Sequence, residues 1–391
     1  MFPQIPPELN DRIIDHLHDD VCSLSACGLT SRAWLPSVRY HRFGSTVVTV
    51  PRLAAFRSLI DNTPEIGTFV QGFTLGTHFP GFHRVLPADD SLLPAILTAL
   101  PYVNDIQVVS FTWNTRFQAF SQAYPALQHL TFVNCMFPTE LAHGFPLFLA
   151  TFPFLRSLSL QNPSFSHPGR NWEWDETVPR PPLTDLCLTR VPGTAALCHW
   201  LRSASQESTI KSFTTNVGEV WKAEQALHVF RCFGHSIRTL DLTLDSYSGL
   251  AAIFEEAQFS IEGCTGLHVL HLELHLHGMC VKTNSDLRWI SVILSQISSP
   301  NIHTITFSLC ADPMSDYRGL DSECAVRPLQ VASFTNLIEF DWEDIHTARM
   351  KDPQPALVVK GQGLSDSLRS HLEALGLLPL WSQSYQFNTS Y

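Results

Sequence analysis

Positive charge is scarce in this sequence: 25 Lys and Arg stand against 36 Asp and Glu, a formal net charge of −11. Nucleic acid and anionic membrane surfaces both call for a basic face, so neither is expected as the main partner. The imbalance is uneven, with 12 basic and 15 acidic residues in 1–200 and 13 and 21 in 201–391. Long apolar runs are missing as well, and no stretch approaches the ~18 uncharged residues that a membrane span needs. The 10 cysteines form no CxxC pair, which sets aside a zinc ribbon and a thioredoxin-type motif. Several sit in apolar runs, as Cys187 does in LTDLCL, where cysteine behaves as a small buried hydrophobe. GxxxxGK[ST], HExxH and GxSxG are all absent, and Gly361-x-Gly363 lacks the third glycine of a dinucleotide loop. The opening Met-Phe-Pro-Gln-Ile-Pro-Pro does not read as a secretory leader. These absences lead to the expectation of a reduced, cytoplasmic or nuclear protein that performs no bond chemistry and holds no cofactor or metal.

What is present falls into two styles. In residues 1–45, Pro6 and Pro7 stiffen the entry to a helix, where a missing N–H costs little. From Glu8 the apolar positions Leu9, Ile13, Ile14 and Leu17 follow helical spacing, with Asp11, Arg12, Asp15 and His16 taken as the opposite, solvated side. Asp19 and Asp20 end this helix, and Ser23 is the expected N-cap of a second one through Leu24, Cys27 and Ala33. Pro36, after Trp34 and Leu35, closes that segment or opens a third. Three helices in so short a stretch bury too little surface to stand alone, so they need a partner or the rest of the chain.

The segments IPPELNDRIIDHL and SLSACGLTSRAWLPSVRYHRF resemble the F-box motif, notably as it occurs in fungal proteins. An LP-type start, Pro-Glu-Leu, spaced aliphatics, a Cys/Leu-rich second helix and Ser-Arg-x-Trp are all met. Ile5 stands where Leu is usual, which keeps apolar bulk. The resemblance covers residues 3–43. It implies a face that binds a Skp-type adaptor and, through it, a cullin scaffold and a ubiquitin-conjugating enzyme. By the match, Ile5, Pro6, Leu9, Ile13, Leu24, Cys27 and Trp34 contribute to that face, as apolar anchors at helical spacing entering a groove. A plain three-helix cap over the end of a repeat array is the alternative, and the two roles are compatible.

After the first 45 residues a hexad, apolar-x-x-apolar-x-apolar, recurs ten times. It runs Val70-Phe73-Leu75, Val103-Ile106-Val108, Leu127-Leu130-Phe132, Leu155-Leu158-Leu160 and Leu183-Leu186-Leu188. It continues Ile210-Phe213-Thr215, Ile237-Leu240-Leu242, Leu267-Leu270-Leu272, Ile302-Ile305-Phe307 and Leu337-Phe340-Trp342. Leading positions from Leu127 to Leu267 are 28, 28, 27, 27 and 30 residues apart. That spacing resembles leucine-rich repeats at the upper edge of their range. Helix-like segments intervene at 52–62, 91–100, 139–151, 195–204, 220–233, 250–258, 286–297 and 364–375. The expected fold is an α/β solenoid, a degenerate leucine-rich-repeat horseshoe with parallel strands inside and helices outside, preceded by the small three-helix F-box domain. An ordinary parallel α/β sheet is the alternative. The expected domains are 1–45, 46–380 and a tail, 381–391. The turn asparagine of strict repeats is mostly absent.

Strand side chains alternate, so the position between the last two apolar residues of a hexad, and the one after them, share the inner face. From Asp241 onward these are Asp241/Thr243, His271/Glu273, Thr306/Ser308 and Asp341/Glu343, an acidic and histidine-bearing set. They are the expected docking positions for a target protein with a basic segment; a merely solvated face is the alternative. Two stretches break the period, 162–182 and 313–334. The first carries Trp172 and Trp174 in an aromatic-acidic run, read either as a binding loop or as decoration. In LHLELHLHG, His271, Glu273, His275 and His277 alternate along one side of a strand, where His-x-His can chelate zinc; a solvated polar row is the plainer reading. Three functions are consistent with these features: a target-recognition subunit of a ubiquitin ligase, a non-degradative scaffold on the same repeats, and, weakest, a metal-dependent enzyme using the His271–His277 row.

Overall fold

The structure is a computed structural model, and it describes residues 6–76, 92–112, 123–124, 126–137, 144–165, 177–202, 210–245, 253, 258–276, 288–311, 339–346 and 358–360. The chain divides into two compact units, Met1–Leu183 and Thr184–Tyr391.

The first unit opens with helices. Helix α1 spans Pro7–Asp15, with the proline in its first turn, where no N–H is needed. Helix α2 spans Val21–Thr30 and is capped by Asp20, whose carboxylate accepts from the backbone N–H groups of Cys22 and Ser23 at 3.0 Å each. This corrects the expectation of Ser23 as the cap. An ionised carboxylate placed just ahead of the first turn satisfies two orphan donors at once. Ser23 lies inside that turn and donates its hydroxyl to Asp20 Oδ2 at 2.6 Å. A short 3₁₀ turn, Arg32–Trp34, leads into α3, Leu35–Phe43, so Pro36 opens the third helix rather than closing the second. Ile14, Leu24 and Val38 are buried together, with Leu17, Cys27 and Trp34 packed against them.

No linker separates these helices from the first strand. Strand β1, Ser45–Thr49, starts one residue after α3, and the backbone N–H groups of Gln71 and Gly72 both donate to Gly44 O. Then come α4 (Leu53–Asn62), α5 (Glu65–Phe69), β2 (Gly72–Gly76), α6 (Leu92–Thr98), β3 (Asp105–Val109), β4 (His129–Val133), β5 (Met136–Phe137), α7 (Phe145–Ala150), β6 (Ser157–Gln161) and β7 (Ser164–Phe165). β1, β2, β3, β4 and β6 pair in that order, all parallel, and β5 pairs with β7 in a short second ladder.

The second unit contains β8 (Asp185–Thr189), α8 (Thr194–Arg202), β9 (Ser212–Asn216), α9 (Val220–Phe233), β10 (Thr239–Asp245), β11 (Val269–Leu276), α10 (Arg288–Ser295), β12 (Thr304–Ala311), β13 (Glu339–His346) and β14 (Val358–Lys360). β8 to β13 pair in chain order, all parallel, and β14 adds antiparallel to β13.

The hexads explain this order. Their second and third apolar positions fall on strands in every case, and the register stacks equivalent positions. Phe73, Ile106, Leu130 and Leu158 are partners in the first unit; Leu186, Phe213, Leu240, Leu270, Ile305 and Phe340 are partners in the second. A one-residue slip would turn each row out of the core, so the register is strongly specified. The buried rows meet helices through ring contacts: Phe73 with Phe56 of α4, Phe132 with Phe145 of α7, and Phe213 with Phe230 of α9. After β3, β4, β6 and β8 the chain turns through a left-handed residue, Ser110, Asn134, Asn162 and Arg190. That conformation costs a residue with a Cβ ~1–2 kcal/mol. Backbone bonds offset it, from Ser110 N to Val133 O and from Asn134 N to Gln161 O at 2.8 Å each. Two of the four turns do carry asparagine, and Asn162 Nδ2 donates to Asn134 Oδ1 at 2.7 Å.

Parallel strands alternating with helices make this an α/β fold compatible with a solenoid. Among the described residues no helix is long and apolar enough to cross a membrane.

Candidate functional site

Helix α1 exposes its apolar residues through the way its carboxylates are held. Asp11 accepts a short hydrogen bond from the Ser37 hydroxyl, and Asp15 Oδ1 accepts from His41 Nε2 at 2.8 Å, both from α3. At about 100° per residue, Ile14 lies ~60–100° round α1 from Asp11 and Asp15. The inward direction therefore falls between Ile14 and the carboxylates. Leu9 and Ile13, one turn apart, point roughly 140–180° away from it. They are accordingly 48% and 44% exposed while Ile14 is fully buried. The expected amphipathic stripe is thus split, because the side taken as solvated is half engaged by α3.

Helix α2 shows the same division. Leu24 is fully buried, whereas Val21 is 60% and Leu29 91% exposed. Of the residues singled out from the sequence, Pro6, Leu9 and Ile13 present themselves to solvent. Leu24 belongs to the core of the three helices, and Cys27 and Trp34 pack against that core with part of their surface open. Ile5 lies outside the described residues. Val21 and Leu29 are exposed without being among the residues expected on that face. Leu29 has a sequence signal, an aliphatic next to Gly28 at the end of a helix whose inward side is already filled.

A second polar constellation lies on the second unit's sheet. Register places Cys187, Thr214, Asp241, His271, Thr306 and Asp341 in one row. The next row on the same face is Asn216, Thr243, Glu273, Ser308 and Glu343. These are the pairings the alternation predicts. Asp241 is tied to both neighbouring strands: the Thr214 hydroxyl donates to its Oδ2 at 3.0 Å, and His271 Nδ1 stands 3.6 Å from its Oδ1. The Thr243 hydroxyl donates to Glu273 Oε2 at 3.1 Å. Adjacent parallel strands are ~4.8 Å apart, so Asp241 and Glu273 sit on neighbouring strands while Asp341 and Glu343 lie two strands beyond Glu273. Such carboxylates can take up cationic side chains of an extended peptide. Trp172 and Trp174, with 313–334, lie outside the described residues, as does His277. Among the described residues no group of three His, Cys, Asp or Glu is placed to hold a metal ion.

In the first unit the corresponding row is Val47, Thr74, Gln107, Thr131 and Ser159, without a charge. Thr74 donates to Gln107 Oε1 at 3.2 Å, so this row is tied internally. No protein-family model matches the chain, and no curated protein matches it.

Proposed function

We propose that this protein is the target-recognition subunit of a Skp/cullin/F-box-type ubiquitin ligase, with α1–α3 docking the Skp-type adaptor and the strand rows binding the target. The observation that carries the reading is the outward display of Leu9, Ile13, Val21 and Leu29 on helices whose own core is already complete. Burying four such partly exposed aliphatics contributes on the order of 4–7 kcal/mol before association costs. That falls short of the ~8 kcal/mol of a micromolar complex, so polar contacts at the rim of the face must add to it. The F-box resemblance of residues 3–43 supplies the chemistry of the partner.

In this reading the remaining strands and helices form a degenerate leucine-rich-repeat solenoid. Strictly sequential strand pairing within each unit and the stacked hexads support it. Asp241, Glu273, Asp341 and Glu343, with His271, hold a basic segment of the target. The protein accelerates transfer by raising the effective concentration of target near the conjugating enzyme, with no bond chemistry of its own. The setting is cytoplasmic or nuclear. Size-exclusion chromatography of the purified chain mixed with a Skp-type adaptor tests the assignment. Co-elution as a one-to-one complex supports it, and independent elution at micromolar concentrations refutes it.

A further inference from the structure

Strand β1, Ser45–Thr49, ends its sheet: β2 pairs with one side of it, and among the described residues no strand pairs with the other. Gly44 fixes which side is filled, because its C=O accepts from the N–H groups of Gln71 and Gly72. Backbone groups of successive strand residues point to alternate sides, so Thr46 and Val48 also turn theirs toward β2. Ser45 and Val47 therefore turn their N–H and C=O outward, where no described residue bonds them. Both residues are exposed, Val47 to 66%. Sheet edges are ordinarily blunted by a charge, a proline or a bulge. From Gly44 to Val50 there is neither charge nor proline, and pairing with β2 runs through all five strand residues without a bulge.

We propose that this edge pairs antiparallel with the same edge of a second copy of the chain, across a two-fold axis at Thr46. In that register Ser45 stands opposite Val47 of the second copy, and Thr46 opposite its own counterpart. Each Ser45–Val47 pair exchanges both of its N–H···O=C bonds. The four outward donors of the two edges thus meet the four outward acceptors, with none left over. The axis stands normal to the sheet and keeps the exposed faces of both copies on one side. A register shifted by one residue would set outward side chains opposite inward ones. A register shifted by two would bring Thr49, only 6% exposed, into the ladder. This self-complementarity points to a copy of the same chain as the occupant, and a two-fold contact closes at the dimer. One short edge covers less than the ~1,200 Å² of a standard interface, so the dimer forms reversibly and by mass action.

Sedimentation equilibrium of the full-length chain is expected to show single chains at about 1 µM and a rising share of dimers by about 200 µM. Thr46→Cys, mildly oxidised at the higher concentration, is expected to form a disulfide-linked dimer. Opposite Cα atoms of a pair without mutual hydrogen bonds lie ~4.5 Å apart, within disulfide reach. Ser45→Cys is out of register with itself and is expected to link far less under the same oxidation. The wild type, with its exposed Cys22, serves as the baseline. Peptide mapping by mass spectrometry is expected to place the link at position 46. A wild type that stays monomeric at the higher concentration overturns the proposal, as does a dimer in which Ser45→Cys links as readily as Thr46→Cys. The sedimentation measurement requires no variant to fold.

Discussion

Asp15 on α1 and His41 on α3, 26 residues apart, meet through a 2.8 Å hydrogen bond that fixes which side of α1 faces inward. The Asp11–Ser37 contact, spanning the same separation one turn earlier, does the same. Together they hold Leu9 and Ile13 outward. Half-exposed side-chain hydrogen bonds contribute ~0.5–1.5 kcal/mol each. We therefore expect Asp11→Ala with Asp15→Ala to destabilise the docking of α1 by about 1–2 kcal/mol. Hydrogen exchange should report faster exchange confined to residues 7–17, and unchanged exchange there would show that the two bonds do not orient the helix.

Leu24 and Leu29, five residues apart on α2, should separate stability from binding. Leu24 is fully buried, so Leu24→Ala costs about 2–5 kcal/mol of stability in the helices. Leu29 is 91% exposed, so Leu29→Ala should shift the unfolding midpoint by less than ~0.5 kcal/mol. Adaptor affinity should nevertheless fall with Leu29→Ala. Denaturant titration and calorimetry on the same two variants check both halves; a stable Leu29→Ala protein with unchanged affinity would remove α2 from the docking face.

The acidic rows predict a selective electrostatic effect. Asp241→Asn with Glu273→Gln removes two carboxylates from half-exposed positions, for a stability change of ~0–1 kcal/mol. Affinity for a fluorescent Lys/Arg-rich peptide should drop clearly more than it does in Glu262→Gln, which changes charge at an exposed turn away from the rows. Equal effects from the row and turn variants would mean that only net charge is being read.

Lys222 on α9 is 2% exposed, and its ammonium lies 2.7 Å from Glu219, which is 41% exposed. Lys222, then Trp221, hydrogen-bond the Glu219 carboxylate and keep it below the ordinary glutamate range. A depressed folded-state value means that the stabilisation is complete above the unfolded glutamate pKa and fades as pH falls through the lower folded value. Glu219→Ala leaves a buried ammonium short of its partner. Because water reaches the glutamate side, about 1–3 kcal/mol is expected at neutral pH, below the 3–5 of a fully buried pair. Thermal melts should show the variant and wild type converging in acid; a constant gap down to pH 3 would contradict the pairing.

Much of the fold was legible because a strand with one buried face leaves a strict period-2 trace, and a row of such strands repeats it. Phe73, Ile106, Leu130 and Leu158 are recognisable as equivalents before any register is known. Helix α9 was found to the residue, Val220–Phe233, since four turns carry a clear stripe. Helix α5 was missed because five residues are too few to show a helical period. Strand β1 was missed because it lacks the leading apolar residue and begins directly where α3 ends. The left-handed turns at Ser110 and Arg190 carry neither glycine nor asparagine, so residue type gives no signal of them. On α1, spacing alone could not divide Leu9 and Ile13 from Ile14 and Leu17; the division depends on Ser37 and His41, far away in sequence.

The docking claim is tested most directly by the affinity of a purified Skp-type adaptor for the wild type and for Leu9→Asp with Ile13→Asp. Both residues are about half exposed, so the variant should keep its unfolding midpoint within about 1 kcal/mol. The account predicts tight wild-type binding and a loss of ~100-fold or more, roughly 3 kcal/mol, in the variant. Undiminished binding by a folded variant, or no binding by the wild type, would contradict it and leave α1–α3 as a cap on the sheet.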